Sequence, residues 1–384
     1  MKNNALIAGI ILLLYLFTVP VTAQEEYNAI YAVVPFLTIA PDSRAGALGN
    51  AGVATSADLY SMHWNPAKYA FIDGKAGFGM SYVPWLRALV NDINLSNITG
   101  FYRIDNRQVV AASLMYSALG RIEFTDEYGG RLMDINPNEF SVDAAYSRLF
   151  SEHWSGGVAL RFIYSNLTGG QYVGSEPTKV STAFAADASV FYTTPLELGS
   201  RTGNIAAGLN FSNIGSKMSY TTNKDPDFIP MNMRLGTTFS IDLDKYNTIE
   251  FSLDLNKLLV PTPPETDFET KEIIKGKDPN VSVPVAIFQS FYDAPGGFKE
   301  ELQEFTQSFG IEYWYNQQFA LRAGYHNEAM YKGNRKFFTA GAGFKLSLIN
   351  LDFSYLIALT QNSPLAGTVR FSLGFEFDSL RSQK

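Results

Sequence analysis

The 384-residue sequence contains no cysteine, which excludes a disulfide scaffold, a cysteine-ligated zinc or iron–sulfur centre and a thiol nucleophile. Charged residues are scarce at 17%, against about 25% in an average soluble protein. The formal net charge is -7 and no basic run is present, so a nucleic-acid partner is not expected. The mean hydropathy of -0.04 is far too low for a polytopic helical membrane protein.

Histidine is also rare. His63, His153 and His326 lie in different regions with no two of them three or four residues apart, so they predict surface or interfacial residues rather than a helical metal pair. The sequence has no Gly-x-Ser-x-Gly elbow, no phosphate loop and no regular calcium loop. We therefore expect a protein that is not an enzyme and that binds no metal and no cofactor.

The N-terminus predicts a secretory signal peptide over residues 1–23. A basic start, Met1–Asn4, precedes the 15-residue apolar run Ala5–Val19, and Ala23 supplies the small residue before a cleavage site at Gln24. Fifteen residues are too few for a helix that crosses a bilayer, which needs about 20. We expect an exported protein whose mature chain starts near Gln24.

From residue 76 onward, apolar and polar residues alternate with the period of two that is typical of β-strands. In the last such segment, Val369, Phe371 and Phe377 share one face, and Arg370 and Ser372 share the other. Fourteen strands of 8 to 13 residues are predicted in this way. They lie near 76–83, 93–104, 107–117, 139–149, 154–165, 181–193, 203–212, 232–243, 247–258, 305–315, 318–328, 335–346, 349–360 and 366–377.

The lengths of these strands and of their connections favour an all-β transmembrane barrel of about 14 antiparallel strands. Strands that cross a membrane at a tilt need about 9–11 residues, whereas ordinary strands average about 5–6. Short and long connections mostly alternate, as in outer-membrane barrels, and the exception is a nine-residue turn at 194–202 on the short side. The 29 Phe, 21 Tyr and 4 Trp suit aromatic girdles at the membrane interfaces. The alternative is a pair of secreted β-sandwiches, whose core faces also alternate.

Residues 24–75 do not alternate cleanly and are predicted as a separate segment before the barrel at 76–384. They contain glycines at every third position within Arg44–Gly52, which permit close backbone packing, and the motif Asn65-Pro66-Ala67. We expect a compact element on the periplasmic side or inside the barrel. A lumen plug is one use, because a fourteen-strand cylinder is wider than side chains alone can fill.

Several strand carboxylates fall on the non-aromatic faces, which predicts a polar lumen. They are Asp143, Asp187, Asp254 and Asp352. We expect them to be solvated or to pair with lumen arginines, namely Arg161, Arg322 or Arg370.

The outer loops carry the candidate binding residues. Loop 259–304 holds a cluster of apolar residues. Apolar residues in an exposed loop are expected to pack either on the barrel rim or on a binding partner. Other outer loops invite the same interpretation. The candidates are Ile287, Phe288, Phe291 and Tyr292, with Trp85 and Leu86 in the first outer loop and Tyr331 at another outer end.

Several motifs together resemble the PorV (LptO) family of Bacteroidetes. They are the runs Val34–Gly46, Gly52–Ser56, Trp64–Phe71, Ser81–Arg87, Val90–Asn94 and Asn136–Phe140. The Asn-Pro-Ala element by itself is shared with the wider FadL-like family of outer-membrane proteins, whereas the combination is specific.

The resemblance implies a FadL-like fourteen-strand barrel in the outer membrane of a Gram-negative bacterium, serving the type IX secretion system. Such a barrel receives the C-terminal signal domain of secreted cargo from the translocon at its extracellular face. It then delivers the cargo to a sortase-type attachment complex, which joins it to lipopolysaccharide. The alternative function is a FadL-like transporter of fatty acids or other hydrophobic small molecules. An enzyme acting on lipopolysaccharide ranks last, because no nucleophile–base pair is recognisable.

Overall fold

The structure is a computed structural model that describes residues 28–377, apart from 88, 126, 127, 129, 174, 175, 222–224 and 362. The predicted signal peptide therefore lies outside the described residues. Among the helices that the structure does describe, none is long and apolar enough to cross a membrane.

Fourteen of the described strands close into one antiparallel barrel, and the other six form three hairpins, β4–β5, β8–β9 and β14–β15, in the connecting loops. The strands are β1 Ala76–Pro84, β2 Ile93–Arg103, β3 Gln108–Leu119, β4 Ile122–Thr125, β5 Arg131–Ile135, β6 Asn138–Leu149, β7 Trp154–Asn166, β8 Tyr172–Val173, β9 Glu176–Pro177, β10 Ser181–Leu198, β11 Arg201–Gly215, β12 Asn232–Asp242, β13 Asn247–Leu258, β14 Glu265–Thr266, β15 Ile273–Lys275, β16 Thr306–Tyr315, β17 Phe319–Asn327, β18 Lys336–Leu346, β19 Ile349–Ala358 and β20 Val369–Phe377. The barrel closes where β1 pairs with β20, from Ala76 opposite Phe377 to Tyr82 opposite Phe371.

The helices of the described chain are short and are not part of the barrel wall. The α-helices are α1 Ser43–Ala47, α2 Ser61–Trp64, α3 Val283–Gln289 and α4 Phe298–Gln303, and the 3-10 helices are Pro35–Thr38, Pro66–Phe71 and Met330–Lys332.

The predicted strands are confirmed, with one wrong connection. The nine-residue turn expected at 194–202 is a two-residue turn, because β10 and β11 stay paired as far as Leu198 opposite Arg201. The Thr193 amide still donates to the His153 carbonyl at 2.9 Å, but beyond Thr193 no strand pairs with β10 on its other side, since β7 begins at Trp154. Pro195, which lacks an amide hydrogen, is therefore tolerated in the strand. With this correction all short connections lie at one end of the barrel and all long loops at the other.

The two faces of the barrel wall differ as the alternation predicts. Outward residues such as Phe338, Phe353 and Phe371 are about half exposed, while inward residues such as Ser354 and Arg370 are buried. An apolar outer band around a polar interior is the arrangement of an outer-membrane barrel.

The N-terminal segment runs through the lumen from one end to the other. At the long-loop end, the Asn28 and Val33 amides donate to the carbonyls of Tyr331 and Phe228, at 3.0 Å each. At the short-turn end, the Lys75 amide donates to the Phe377 carbonyl at 3.1 Å. The part between them, residues 40–72, is almost entirely buried, and we call it the plug.

Glycines in the wall let the plug backbone approach closely. A Cβ at Gly324 of β17 would lie 2.0 Å from the Gly49 amide nitrogen, and a Cβ at Gly208 of β11 would lie 2.2 Å from the Val53 carbonyl oxygen. Backbone atoms cannot move aside as a flexible side chain can, so only glycine fits at these positions.

Gly324→Ala is expected to push the plug away from β17 and to destabilise the protein by about 1–3 kcal/mol, the usual cost of overpacking. The measurement is the temperature at which the purified barrel loses its compact, heat-modifiable migration on gels. Ala323→Val is the matched control, because Ala323 is exposed on the outer face of the same strand. An equal midpoint for the two variants would contradict this account.

Candidate functional site

The Asn65-Pro66-Ala67 motif anchors the last part of the plug to the barrel wall. The Asn65 side chain accepts the Ala67 amide at 3.0 Å, which caps the 3-10 helix Pro66–Phe71. It also donates to the carbonyls of Val53 and Val190, at 3.0 and 3.1 Å. The Ala67 carbonyl accepts the hydroxyls of Ser155 and Ser147, at 2.7 and 3.2 Å. The motif thus joins two parts of the plug to three strands.

Buried ion pairs hold the first helix of the plug, α1. Arg44 forms a two-pronged pair with Glu312 of β16, at 3.1 and 2.7 Å, and Arg322 of β17 binds the same carboxylate at 2.6 Å. Arg322 also pairs with Asp352 at 2.5 Å. Bidentate arginine–carboxylate pairs are strong and have a fixed geometry. This network therefore fixes the orientation of α1 relative to the barrel wall.

The lumen carboxylates behave in different ways. Asp143 and Asp187 both pair with Arg161, as the sequence predicts. Asp254 instead accepts the plug amides of Gly52 and Val53, at 2.6 and 2.9 Å.

The histidine positions differ from the prediction at two of the three sites. His63 and His326 are buried rather than at the surface. The His63 carbonyl accepts Arg234 at 2.5 Å, and a ring nitrogen of His326 lies 2.9 Å from the Ser308 hydroxyl. No cluster of three His, Asp or Glu side chains that could hold a metal ion is found in the described part of the chain.

The long loop between β13 and β16 is built around Lys257, which is fully buried at the end of β13. Its ammonium pairs with Glu301 at 3.2 Å and with Glu304, and it lies 5.5 Å from the ring centroids of both Phe291 and Phe305. The Glu301 carboxylate also accepts the Ala294 amide at 2.8 Å. One buried cation therefore ties α4 and the end of α3 to the barrel.

A second cation, Lys332, links this loop to its neighbour. Lys332 pairs with Glu300 at 2.5 Å and with Glu304 at 3.0 Å. The Glu300 carboxylate also accepts the Asn28 side chain at 3.0 Å. The loop, the 328–335 connection and the start of the N-terminal segment are thus held as one unit.

The structure separates the seven predicted binding residues into two groups. Ile287 and Trp85 pack, partly buried, on the apolar cluster that Phe36 and Met231 help to form at the rim. Leu86 and Tyr331 are also partly buried. The three others are exposed at the end of α3: Phe288, Phe291 and Tyr292. We call these three residues the outer aromatic surface.

Sequence reasoning missed further exposed apolar residues at this end. Phe298 and Leu302 lie on one face of α4, and Met330 lies in the 328–335 connection. The spacing of Phe298 and Leu302, four residues apart before a strand, is the available signal for a helix face. Because α4 is fixed by Glu301, this face cannot turn inward.

Asp293 is buried within the same loop, where one carboxylate oxygen accepts the Thr262 amide at 3.2 Å and the other has no partner among the described residues. Burial, together with the nearby charges of Glu301 and Glu304, raises the pKa of Asp293 to about 6. A raised carboxyl pKa means that the folded loop prefers the protonated form. The folded loop is therefore most stable at acid pH, where Asp293 is protonated. This stability is lost as the pH rises through about 6 and the carboxyl group becomes charged.

Asp293→Asn should therefore slow the opening of the loop at pH 7.5 and change it little at pH 4.5, because only the charged form is disfavoured by burial. The measurement is hydrogen exchange of peptides from 259–305, corrected for the intrinsic pH dependence of exchange. The same change at both pH values would show that the titration of Asp293 does not matter.

Lys257→Met should loosen the loop by about 3–5 kcal/mol, the cost of leaving a buried carboxylate without its partner. We expect rapid cleavage within 259–305 by proteinase K while the barrel strands stay protected. Lys275→Met is the matched control, because the Lys275–Glu265 pair in the same loop is exposed and contributes at most about 1 kcal/mol. Equal cleavage of the two variants would refute the central role of Lys257.

A closed fourteen-strand barrel with its own N-terminal segment in the lumen defines a FadL-like outer-membrane β-barrel. Solved structures agree in fold: the P. putida toluene transporter TodX is 10% identical, with 88% of this chain and 99% of that chain covered and a TM-score of 0.50. The TodX deltaS2S3 mutant, a monoaromatic hydrocarbon channel, is 10% identical, with 87% and 96% covered and a TM-score of 0.51.

The family described as type IX secretion system protein PorV matches residues 22–265. The chain belongs to this family, and it is an outer-membrane protein of the type IX secretion class. No curated protein is significantly similar to it in sequence. The outer aromatic surface lies beyond the matched residues.

Proposed function

We propose that this barrel is a non-enzymatic carrier of type IX secretion. It binds the C-terminal signal domain of a secreted cargo protein at its extracellular face and takes it from the translocon to a sortase-type attachment complex. The observation that carries the proposal is the outer aromatic surface, which a buried ion network holds exposed at the long-loop end. In outer-membrane barrels the long loops face the outside.

The geometry suits reversible docking. Exposed aromatic side chains are typical energetic centres of protein interfaces, and Phe288 is 72% exposed. Because Lys257 fixes the loop, little conformational entropy is lost when a partner binds. The apolar area is modest, so the complex can also release its cargo, as delivery to the attachment complex and to lipopolysaccharide requires.

The filled lumen supports a carrier over a channel. The plug bonds to opposite sides of the wall: the Tyr60 hydroxyl donates to the Met80 carbonyl of β1 at 2.7 Å, and Asn210 of β11 donates to the Trp64 carbonyl at 3.0 Å. A FadL-like transporter of fatty acids or other hydrophobic small molecules would need an apolar path through this region. The plug fills this region instead: residues 40–72 are almost entirely buried, and apolar plug side chains such as Leu59 and Met62 pack tightly against the wall.

Phe288→Ser combined with Tyr292→Ser should lower the amount of cargo that co-purifies with the barrel from its native outer membrane at least tenfold. Loss of one aromatic hot spot costs about 2 kcal/mol or more, and about 1.4 kcal/mol is tenfold in affinity. The measurement is affinity purification with mass spectrometry, in which secreted proteins with a common C-terminal β-domain and attachment-complex subunits are expected.

Phe268→Ser is the matched control, because Phe268 is 87% exposed in the β14–β15 turn of the same loop. Undiminished cargo with the double variant would overturn the proposed surface. Recovery of fatty acids alone, without any cargo, from the unaltered protein would favour the transporter.

A further inference from the structure

A cavity of about 450 Å³ lies in the lumen near the long-loop end, between the start of the N-terminal segment and the barrel wall. Apolar residues form part of its lining, among them Ile30, Ile39 and Leu356. Tyr31, at its edge, is 76% exposed, so the cavity is open toward the outer mouth. Its volume falls within the range of about 300–1,000 Å³ that is usual for small-molecule sites.

The acidic groups that line the cavity already have partners. Glu304 pairs with Lys257 and Lys332, and Glu328 pairs with Arg335 at 2.8 Å. They are therefore not available to neutralise further cations in the lining.

Two arginines of the lining, Arg234 and Arg370, have no carboxylate within 4 Å among the described residues, although they are only 5% and 1% exposed. Arg370 donates from Nε to the Ala40 carbonyl at 3.3 Å, and its buried Nη1 has no hydrogen-bond partner there. Arg234 donates to the His63 carbonyl at 2.5 Å and lies 5.1 Å from the Trp64 ring. These contacts are with neutral groups, so neither arginine forms an ion pair, and Asp187 and Asp254 attract Arg234 only from beyond 4 Å.

The nearby acid Asp42 is otherwise engaged. Its two carboxylate oxygens accept the Trp64 indole at 2.7 Å and the Ala45 amide at 2.8 Å. It attracts Arg370 from a distance without an ion pair between them.

The contrast with the rest of the lumen is informative. Arg44, Arg161 and Arg322 are all buried and each pairs with at least two carboxylates. A buried charge without a partner carries a large desolvation cost. Two further lining groups, the side-chain oxygens of Asn50 and Asn256, also have no partner among the described residues. Unused polar groups around one open cavity point to a ligand that would use them.

We propose that this cavity binds a small organic anion, with its acidic group, a carboxylate or a phosphate, held by Arg370 and Arg234. A short apolar body packs on Ile30, Ile39 and Leu356. The anion is either a free organic acid or the acidic part of a lipid. The inference does not depend on the proposed cargo binding, which would use exposed side chains on the outside of the β13–β16 loop rather than the cavity.

The test is isothermal titration calorimetry on the full barrel in lipid nanodiscs, with hexanoate, hexyl phosphate and 1-hexanol as probes. At least one of the two anions should bind at least tenfold more tightly than the alcohol, because hydrogen bonds between an arginine and a charged acceptor are stronger than those to a neutral hydroxyl. Arg370→Met should remove this preference and Arg370→Lys should restore part of it. Arg131→Gln, which removes one exposed charge from β5, should leave it unchanged.

Native mass spectrometry of the purified barrel distinguishes the two sources: a mass of a few hundred daltons indicates a free acid, and a larger one a lipid. The proposal is overturned if 1-hexanol binds as well as the anions, if neither anion binds at millimolar concentration, or if Arg370→Met binds them unchanged. Heat-modifiable migration confirms that each variant is a folded barrel.

Discussion

The structure depends on one constraint: a fourteen-strand cylinder encloses more space than its own inward side chains can fill, and its polar groups must still find partners. The plug meets both needs. Arg44 bridges to Glu312, Asp254 receives the amides of Gly52 and Val53, and Asn65 joins two parts of the plug to β10. Each of these groups would otherwise be a buried polar group without a partner, at a cost of about 1–3 kcal/mol. Wall glycines such as Gly324 complete the fit by admitting the backbone itself.

Filling the lumen in this way has consequences for function. Because the interior is largely occupied, the long-loop rim is the most accessible part of the barrel ends, and there the chain has exposed aromatic residues on a loop held by buried ion pairs. The N-terminal segment contacts both the long loop and the lumen. Asn28 donates to Glu300 in the long loop, and the residues that follow enter the lumen and form the plug. The ion network around Lys257 and Lys332 therefore connects the barrel, the start of the N-terminal segment and the outer aromatic surface.

Much of the fold could be predicted from the sequence because alternation is a local signal. A face such as Val369, Phe371 and Phe377 can be recognised without knowing any neighbouring strand. The turn at 199–200 was missed because Pro195 is acceptable only where β7 has already ended, which is a property of the neighbouring strand. The burial of His63 and His326 likewise depends on the path of the plug.

The candidate site was less predictable, for a related reason. Whether Ile287 turns inward and Phe288 outward depends on a rim cluster that includes Phe36 and Met231, residues far away in the sequence. Likewise, Arg161 and Arg370 are both arginines on the inward faces of strands, and only the three-dimensional arrangement leaves one with two carboxylates and the other with none. Pattern alone can assign residues to faces, but it cannot pair them.

The most direct test of the carrier account is site-specific photocrosslinking in living cells of the native host. A photoreactive phenylalanine analogue at position 288 is compared with the same analogue at position 245, in a short turn at the opposite end of the barrel. The account predicts crosslinks from position 288 to the C-terminal domains of secreted proteins and none to them from position 245. Cargo crosslinks from position 245 alone, or none from position 288 in secreting cells, would contradict it.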